Sequence, residues 1–224
     1  ATVLATATLA AILPDALFGP LIGALVDRWN RRLIMIFADL SVAVATVALA
    51  ILFATGLIQI WHIYAILLIR SVGGTFHYSS MGASTVLLVP SDQLQRISGI
   101  NQTLRAAINI VSPPTGALLL GILPMQGILF IDVATAILGT LPLLFLSIPQ
   151  PVRELDAEGK HKTSIMQDMK EGFAYIAAWP GLMAIILMAL AANFLLTPTG
   201  SLMPLLVTKH FGLGALDFGL MDSI

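Results

Sequence analysis

The feature that most constrains this chain is a series of long apolar segments joined by short connections. Six are full-length segments of the roughly 20 residues or more that a helix needs to cross a bilayer, and a seventh starts near Leu213. Their approximate ranges are 3–26, 33–57, 61–89, 106–123, 125–148 and 181–207. Only 10% of the 224 residues are charged, whereas soluble domains carry about 25%. The pattern predicts an all-α membrane protein with six transmembrane helices and the start of another.

Positive charges concentrate in alternate connections between these segments. Of the eleven Lys and Arg residues, nine lie on one predicted side of the membrane, Lys209 lies on the other, and Arg70 lies within a span. The positive-inside rule makes the side with nine cations cytoplasmic, so loop 27–32 and connection 149–178 are predicted to be cytoplasmic. The nine are Arg28, Arg31, Arg32, Arg96, Arg105, Arg153, Lys160, Lys162 and Lys170.

Connection 149–178 differs from the rest of the chain in its charged composition. Four apolar residues near its end recur at helical spacing, which predicts a short amphipathic helix at the membrane surface. They are Ile165, Met169, Phe173 and Ile176. An ordinary solvated linker is the alternative. The connection divides the chain into transmembrane parts at 1–148 and 179–224, and we expect a fragment because both ends of the chain fall inside apolar segments.

Two charged residues lie deep in predicted spans, where charge is costly and by default marks function. Asp15 shares a helical face with Gly19 and Gly23, a GxxxG pair that permits close helix approach, and Arg70 lies in the third span. An arginine partner favours the carboxylate whereas burial opposes it, so contact between Asp15 and Arg70 would make a switchable proton site. The alternatives are an Asp15 that hydrogen-bonds between helices and an Arg70 satisfied by backbone carbonyls.

Other polar residues within spans are weaker candidates. Asp132 and Asn193 could line a central cavity or serve packing. Asp39 is placed to neutralise the charge of the nearby arginines. Pro113 and Pro114 remove two backbone donors from the fourth span, which predicts that this helix bends or opens. The four histidines have no metal-ligand spacing and the net charge is −1, so we expect no metal, no cofactor and no nucleic-acid partner.

The stretch "GALVDRWNRRLIM" carries a family resemblance. It resembles the signature G-x-L-a-D-R-x-G-R-K/R between helices two and three of the major facilitator superfamily, a fold of membrane-spanning helices. Asn30 stands where that signature has glycine, and asparagine tolerates left-handed backbone better than most residues. The matching residues are Gly23, Leu25, Asp27, Arg28, Arg31 and Arg32.

Two further stretches resemble motifs of the same family less closely. Arg70 and Gly74 are similar to the R-x-x-x-G core of the helix-four motif linked to proton coupling, with Gly73 in place of its glutamine. "SPPTGA" resembles the helix-five antiporter motif G-P-x-x-G-G. Pro113 and Gly116 match that motif, whereas Ser112 and Ala117 replace glycines.

The resemblance implies an order for the helices. The spans would be family helices two to eight, so that 1–148 is the first half without its first helix, 149–178 is the cytoplasmic linker, and 179–224 begins the second half. In stretches such as "LPDALFGPLIGALVDRWNRR", "FADLSVA" and "SIPQPVRE", the sequence is most similar to bacterial drug exporters of the macrolide-efflux and siderophore-export branch. By that resemblance the protein lies in the bacterial cytoplasmic membrane and is monomeric when intact.

The implied function is secondary active transport. We expect proton-coupled efflux of small amphipathic compounds by alternating access, with Asp15, Arg70, Asp132 and Asn193 handling protons or substrate. The resemblance places Gly23, Asp27, Arg28, Arg31 and Arg32 in a cytoplasmic gate. An importer of another small solute and a non-transporting scaffold are alternatives. An intramembrane enzyme is disfavoured because the serines of "YSSMGAS" have no paired histidine or acid.

Overall fold

The computed structural model describes residues 2–150 and 165–222, and these ranges form helices without any strand. The predicted all-α fold is confirmed. A π-helical turn, Leu206–His210, continues α7. The helices are α1 Thr2–Arg28, α2 Arg31–Ala54, α3 Ile60–Leu88, α4 Leu94–Ile122, α5 Met125–Phe145, α6 Ile165–Ala177, α7 Pro180–Leu205 and α8 Ala215–Asp222.

Four stretches of helix are long and apolar enough to cross a membrane by length and composition. They are Thr6–Arg28, Arg31–Ala54, Met125–Phe145 and Pro180–His210. The two other long helices, α3 and α4, have 29 residues each. Their polar residues lower their hydropathy, so the crossing of the membrane by α3 and α4 stays a prediction.

Helix α4 differs most from its predicted bounds. It begins at Leu94 instead of at 106, so Arg96 and Arg105 lie within the helix and not in a connection. Hydropathy misses these turns because an α-helix satisfies its backbone internally and can continue into polar surroundings. The helix also runs unbroken through Pro113 and Pro114, so the predicted opening there is wrong. Neighbouring groups can satisfy the carbonyls that a proline leaves without donors.

The packed core lies among α1, α2, α3 and α5. Helix α3 packs against both α1 and α2, and α2 packs against α5. Ile22, Val26 and Ile34 are buried together, with Val72 and Phe76 against them. Within a bilayer, such side chains stabilise the bundle through van der Waals packing and not through removal of apolar surface from water. This core fixes the face that α3 turns toward α2 and α5.

The close approach of helices occurs at a different glycine from the one predicted. A Cβ added at Gly73 of α3 would lie 2.8 Å from the Val42 Cγ2 atom of α2. A Cβ at Gly19 or Gly23 would meet nothing within 4 Å in the part of the chain that the structure describes. The predicted GxxxG contact is therefore absent from these residues.

The connection between α1 and α2 is set by a helix cap. Asn30 has φ −68° and ψ 108°, and its side-chain oxygen accepts from the Leu33 N–H at 3.2 Å. This is an ordinary N-cap, so the connection does not need the left-handed backbone that asparagine tolerates. The cap places Arg31 and Arg32 in the first turn of α2. We call the end of the bundle that carries them the arginine end.

The charged connection is described only in part. Helix α6 occupies the position of the predicted amphipathic helix and packs against α1 and α7. Residues 151–164 of the predicted linker lie outside the described residues. The division of the chain at this connection stays a prediction.

Candidate functional site

The first polar cluster joins α2, α3 and α5 through Thr46, Arg70 and Asp132, which we call the arginine layer. The Arg70 Nη1 donates to the Asp132 Oδ2 at 2.6 Å, and Nη2 donates to Oδ1 at 3.4 Å. The Thr46 hydroxyl oxygen accepts from Nη1 at 3.1 Å, and Thr46 is 1% exposed. A two-point contact of this kind fixes the guanidinium plane as well as its charge.

The expected pairing of Asp15 with Arg70 is wrong. Asp15 Oδ1 instead accepts from the Thr75 hydroxyl at 2.9 Å. Arg70 and Thr75 are five positions apart on α3, which sets them about 140° apart around the helix. Thr75 therefore faces α1 while Arg70 faces α2 and α5, and the acid that Arg70 reaches is Asp132.

A second polar cluster lies closer to the arginine end and joins the same three helices. It consists of Asp39, His77 and Thr140, which we call the histidine layer. The His77 Nδ1 lies 2.8 Å from the Asp39 Oδ1, and the Thr140 hydroxyl donates to Asp39 Oδ2 at 3.1 Å. Asp39 was expected to answer the nearby arginines. That expectation is wrong, because its carboxylate turns toward α3 and α5.

The two layers repeat one arrangement. In each layer α3 supplies a nitrogen-containing side chain, while α2 and α5 supply a carboxylate and a threonine. The carboxylate is on α5 in the arginine layer and on α2 in the histidine layer. Seven residues separate the layers along α2 and α3, a rise of about 10 Å. Sequence reasoning gave no role to Thr46, His77 or Thr140. The signal that could have identified them is a pair of polar residues seven or eight positions apart, about two helical turns, in each of three helices.

Arg31 ties three parts of the arginine end together. Its Nη2 lies 3.2 Å from the Asp27 Oδ1, its Nη1 donates to the Ala83 carbonyl at 3.0 Å, and its backbone N–H donates to the Gln150 Oε1 at 3.1 Å. The Arg31 side chain is 7% exposed and that of Asp27 is 71% exposed. A cation in the first turn of a helix is unfavourable, and the Asp27 carboxylate offsets it.

Arg32 reaches the end of α5. Its Nε donates to the Leu143 carbonyl at 2.6 Å, and its Nη2 donates to the Leu144 carbonyl. The last carbonyls of a helix have no partner within the helix and carry partial negative charge. Arg32 satisfies two of them, so the arginine signature braces α2 against α3 and α5.

Comparison with known proteins identifies the family to which this chain belongs. A family model described as Major Facilitator Superfamily matches residues 1–224. The chain belongs to the Major Facilitator Superfamily. It is accordingly a multi-pass membrane protein, and the resemblance given by "GALVDRWNRRLIM" is confirmed.

Several curated relatives are similar over most of this superfamily chain. Macrolide efflux protein A of Streptococcus pyogenes is 36% identical over 214 residues, which are 94% of this chain and 51% of that protein. The protein of the same name from Enterococcus faecalis is 36% identical over 207 residues, 91% of this chain and 62% of its own length. An uncharacterized MFS-type transporter of Bacillus subtilis is 22% identical over 184 residues, 82% of this chain and 43% of its own. The chain spans about half the length of the curated relatives it matches.

The remaining predicted site residues of this major facilitator chain lie apart from the two layers. The Asn193 side chain on α7 donates to the Ala189 carbonyl of its own helix at 2.9 Å. On α4, an added Cβ at Gly116 would meet nothing within 4 Å among the residues described. The Pro113 carbonyl instead faces α8, where an added Cβ at Gly219 would lie 2.7 Å from its oxygen. Pro113 thus marks a close helix contact.

Two cavities bear on the site. One of about 650 Å³ opens between α2 and α3 beside Arg28 and Trp29, and its lining is largely apolar and includes neither layer. Another, of about 260 Å³, has His77 in its lining and extends past Ser84 to Ser147 and Ile148 at the arginine end. Of these two cavities, the smaller is therefore the one that reaches a polar layer, through His77.

Proposed function

We propose that this chain is part of a proton-coupled exporter of macrolide-like amphipathic compounds that works by alternating access. The observation that carries the proposal is the Arg70–Asp132 pair within membrane helices, because charge there is costly and marks transport pathways. The similarity to Macrolide efflux protein A across 94% of the chain supports the substrate class. The activity belongs to the full-length protein.

Asp15 has the chemistry of a proton carrier. Its carboxylate accepts a hydrogen bond from the Thr75 hydroxyl, and no ion pair of Asp15 occurs among the described residues. A hydroxyl can donate to a carboxylate and accept from a carboxylic acid, so Thr75 suits both protonation states. Asp132 is held by an arginine that keeps its charge. We therefore assign proton carriage to Asp15 and orientation to Arg70 and Asp132.

The proposed topology follows the distribution of cations. The arginine end, loop 27–32 and linker 149–178 face the cytoplasm of a bacterial cell, since eight of the eleven Lys and Arg residues lie toward that side, with Arg70 and Arg105 within helices and Lys209 on the other side. Residues 1–148 belong to one transmembrane half and 179–224 to the other. Substrate would bind between the halves near the midplane, as is general for such transporters, and Asn193 on α7 would face it from the second half.

The function is tested with the full-length protein in inside-out membrane vesicles and radiolabelled erythromycin as the probe. We expect the compound to accumulate when the vesicle lumen is made acidic and to leave when a protonophore collapses the gradient. Vesicles from cells without the protein are the control. Equal accumulation in both preparations would refute export, and gradient-driven movement in the opposite direction would favour an importer.

The proposed gate predicts different behaviour for Asp27 and Arg31. Asp27→Asn should change the free energy of unfolding by less than about 0.5 kcal/mol, because the carboxylate is exposed, yet shift the balance of inward- and outward-open states. Arg31→Gln should cost about 2 kcal/mol, since it removes the charged hydrogen bonds of a buried side chain to the Ala83 carbonyl and the Asp27 carboxylate. Thermal unfolding and the labelling of single cysteines at Thr55 and Ser147 measure the two effects.

The 224 residues contain no cysteine, so none of them adds background to the labelling of the introduced cysteines. Cysteines at Thr55 and Ser147 probe opposite ends of the bundle, so a shift between states should change the two labelling rates in opposite directions. Unchanged rates in Asp27→Asn would contradict the gate. Arg32→Gln serves as the comparison, because Arg32 binds α5 carbonyls and not Asp27.

A further inference from the structure

The two polar layers differ in one chemical property. A guanidinium keeps its proton in proteins, whereas histidine is the side chain that ordinarily titrates between pH 5 and 8. The arginine layer can therefore hold charge, but its cation cannot release a proton. The histidine layer has the same carboxylate and threonine partners around a base that can bind and release one.

The histidine layer also has a route to the arginine end. The cavity of about 260 Å³ that His77 lines passes the hydroxyl-bearing residues Ser84 and Thr85 and reaches Ser147 and Ile148, just beyond α5. A water molecule occupies about 30 Å³ of liquid, so a cavity of this size has space for several. Most of the lining is apolar, so the route for a proton released at His77 is the space for water beside Ser84, Thr85 and Ser147 toward the arginine end.

We propose that the His77–Asp39 pair is the site at which the transported proton leaves toward the cytoplasm. This inference rests on the proposed function, in which protons drive export. In the loaded state an imidazolium faces the Asp39 carboxylate and the pair is neutral. On release, one N–H bond of the imidazolium breaks, the proton joins a water molecule in the cavity as hydronium, and the electron pair stays on the ring nitrogen.

After release the pair carries one negative charge. The Thr140 hydroxyl donates to Asp39 Oδ2, so the carboxylate keeps a partner when the imidazole is neutral. A buried carboxylate without any partner would be costly. Thr140 therefore makes the deprotonated state accessible, just as Thr46 supports Asp132 in the arginine layer.

The other charged groups near α3 have their own partners. Arg70, on the same helix, is paired with Asp132 of α5, and Asp27 at the end of α1 is paired with Arg31 of α2. From α4, the Arg105 guanidinium lies 4.5 Å from the ring centre of Tyr78. Asp15 of α1 is bonded to Thr75. Among the described residues, Asp39 is thus the charged group in direct contact with the His77 ring.

The test separates proton-driven transport from exchange, using the full-length protein in proteoliposomes with radiolabelled erythromycin. Exchange of labelled for unlabelled compound at equal pH needs only the substrate-loaded protein to change conformation, whereas accumulation driven by a pH gradient also needs proton release. His77→Gln keeps polar atoms beside Asp39 but cannot carry a proton. We expect accumulation to fall at least tenfold while exchange stays within twofold of wild type.

His62→Gln is the matched control, because it makes the same change on the same helix. His62 accepts from the Gln59 N–H at the start of α3, and a glutamine at this position can make the same cap. Accumulation by His62→Gln should stay within twofold of wild type. Asp39→Asn is the second variant, with the same expected selective loss as His77→Gln.

The proposal stands if His77→Gln, or Asp39→Asn where His77→Gln does not fold, loses accumulation at least tenfold and keeps exchange. It is overturned if a folded His77→Gln protein accumulates erythromycin within twofold of wild type, or if both variants lose exchange and accumulation to the same extent, because a structural role explains an equal loss. A wild-type protein that exchanges erythromycin but shows no gradient-driven accumulation refutes the proposed coupling, and this inference with it.

Discussion

Replacing Arg70 with glutamine is expected to reduce gradient-driven export at least a hundredfold and to destabilise the protein. The change leaves the Asp132 carboxylate inside the membrane helices with the Thr46 hydroxyl near it. We expect a loss of about 3 kcal/mol, the low end for a broken buried pair, because the Arg70 and Asp132 side chains are 41% and 38% exposed. Thermal unfolding of the full-length protein in detergent measures the loss.

The reverse change should cost more stability. Asp132→Asn leaves a guanidinium that cannot become neutral, whereas the carboxylate left by Arg70→Gln can bind a proton. The double variant Arg70→Gln/Asp132→Asn has no unpaired charge, so it should recover most of the lost stability without recovering export. Arg96→Gln, on the first turn of α4, is the control for removing a cation. Additive losses in the double variant would contradict the pairing.

The fold was largely predictable because the bilayer leaves few solutions for an apolar chain. Backbone groups in lipid must be satisfied internally, so apolar segments of sufficient length had to be helices. Their ends were predicted less well where polarity changes gradually. Helix α4 begins at Leu94 because its first turns are polar but helical, a continuation that hydropathy cannot detect.

The site residues were partly predictable and their partners were not. A charged residue inside a span is visible in the sequence, which is how Asp15, Arg70 and Asp132 were found. Which acid Arg70 meets depends on the rotation of α3 against its neighbours, and Gly73 and the core around Ile22 set that rotation. Neither fact is encoded in local spacing, so Asp15 was assigned to the wrong partner.

The arginine signature gives a different lesson. The sequence predicted its family and its place between two helices, but the resemblance implied only a gate. In the structure Arg31 and Arg32 bind carbonyls of α3 and α5, which is a bracing role within the described helices. Asp27 is the exposed member of the signature, and it is therefore the residue through which the proposed gate would act.

Replacing Asp15 with asparagine is expected to abolish proton-driven export of erythromycin while leaving membrane insertion intact. Asparagine has nearly the same shape, and its amide oxygen can accept from the Thr75 hydroxyl as the Asp15 Oδ1 does. A hydrogen bond between membrane helices contributes about 0.6 kcal/mol on average, so stability should change little. The amide cannot bind the proton that the carboxylate carries. The conformational change that carries this proton back toward the cytoplasm, which we call the return step, should therefore stop.

The measurement is gradient-driven accumulation beside equal-pH exchange, with insertion followed by the amount of protein in the membrane. Asp92→Asn is the matched control, since it makes the same change at an exposed acid between α3 and α4. If Asp15 carries the proton, Asp15→Asn should exchange substrate normally and accumulate none, because only the proton-loaded return is lost. Accumulation at the wild-type rate would remove Asp15 from the coupling mechanism and leave the His77–Asp39 pair as the acid–base group to explain it.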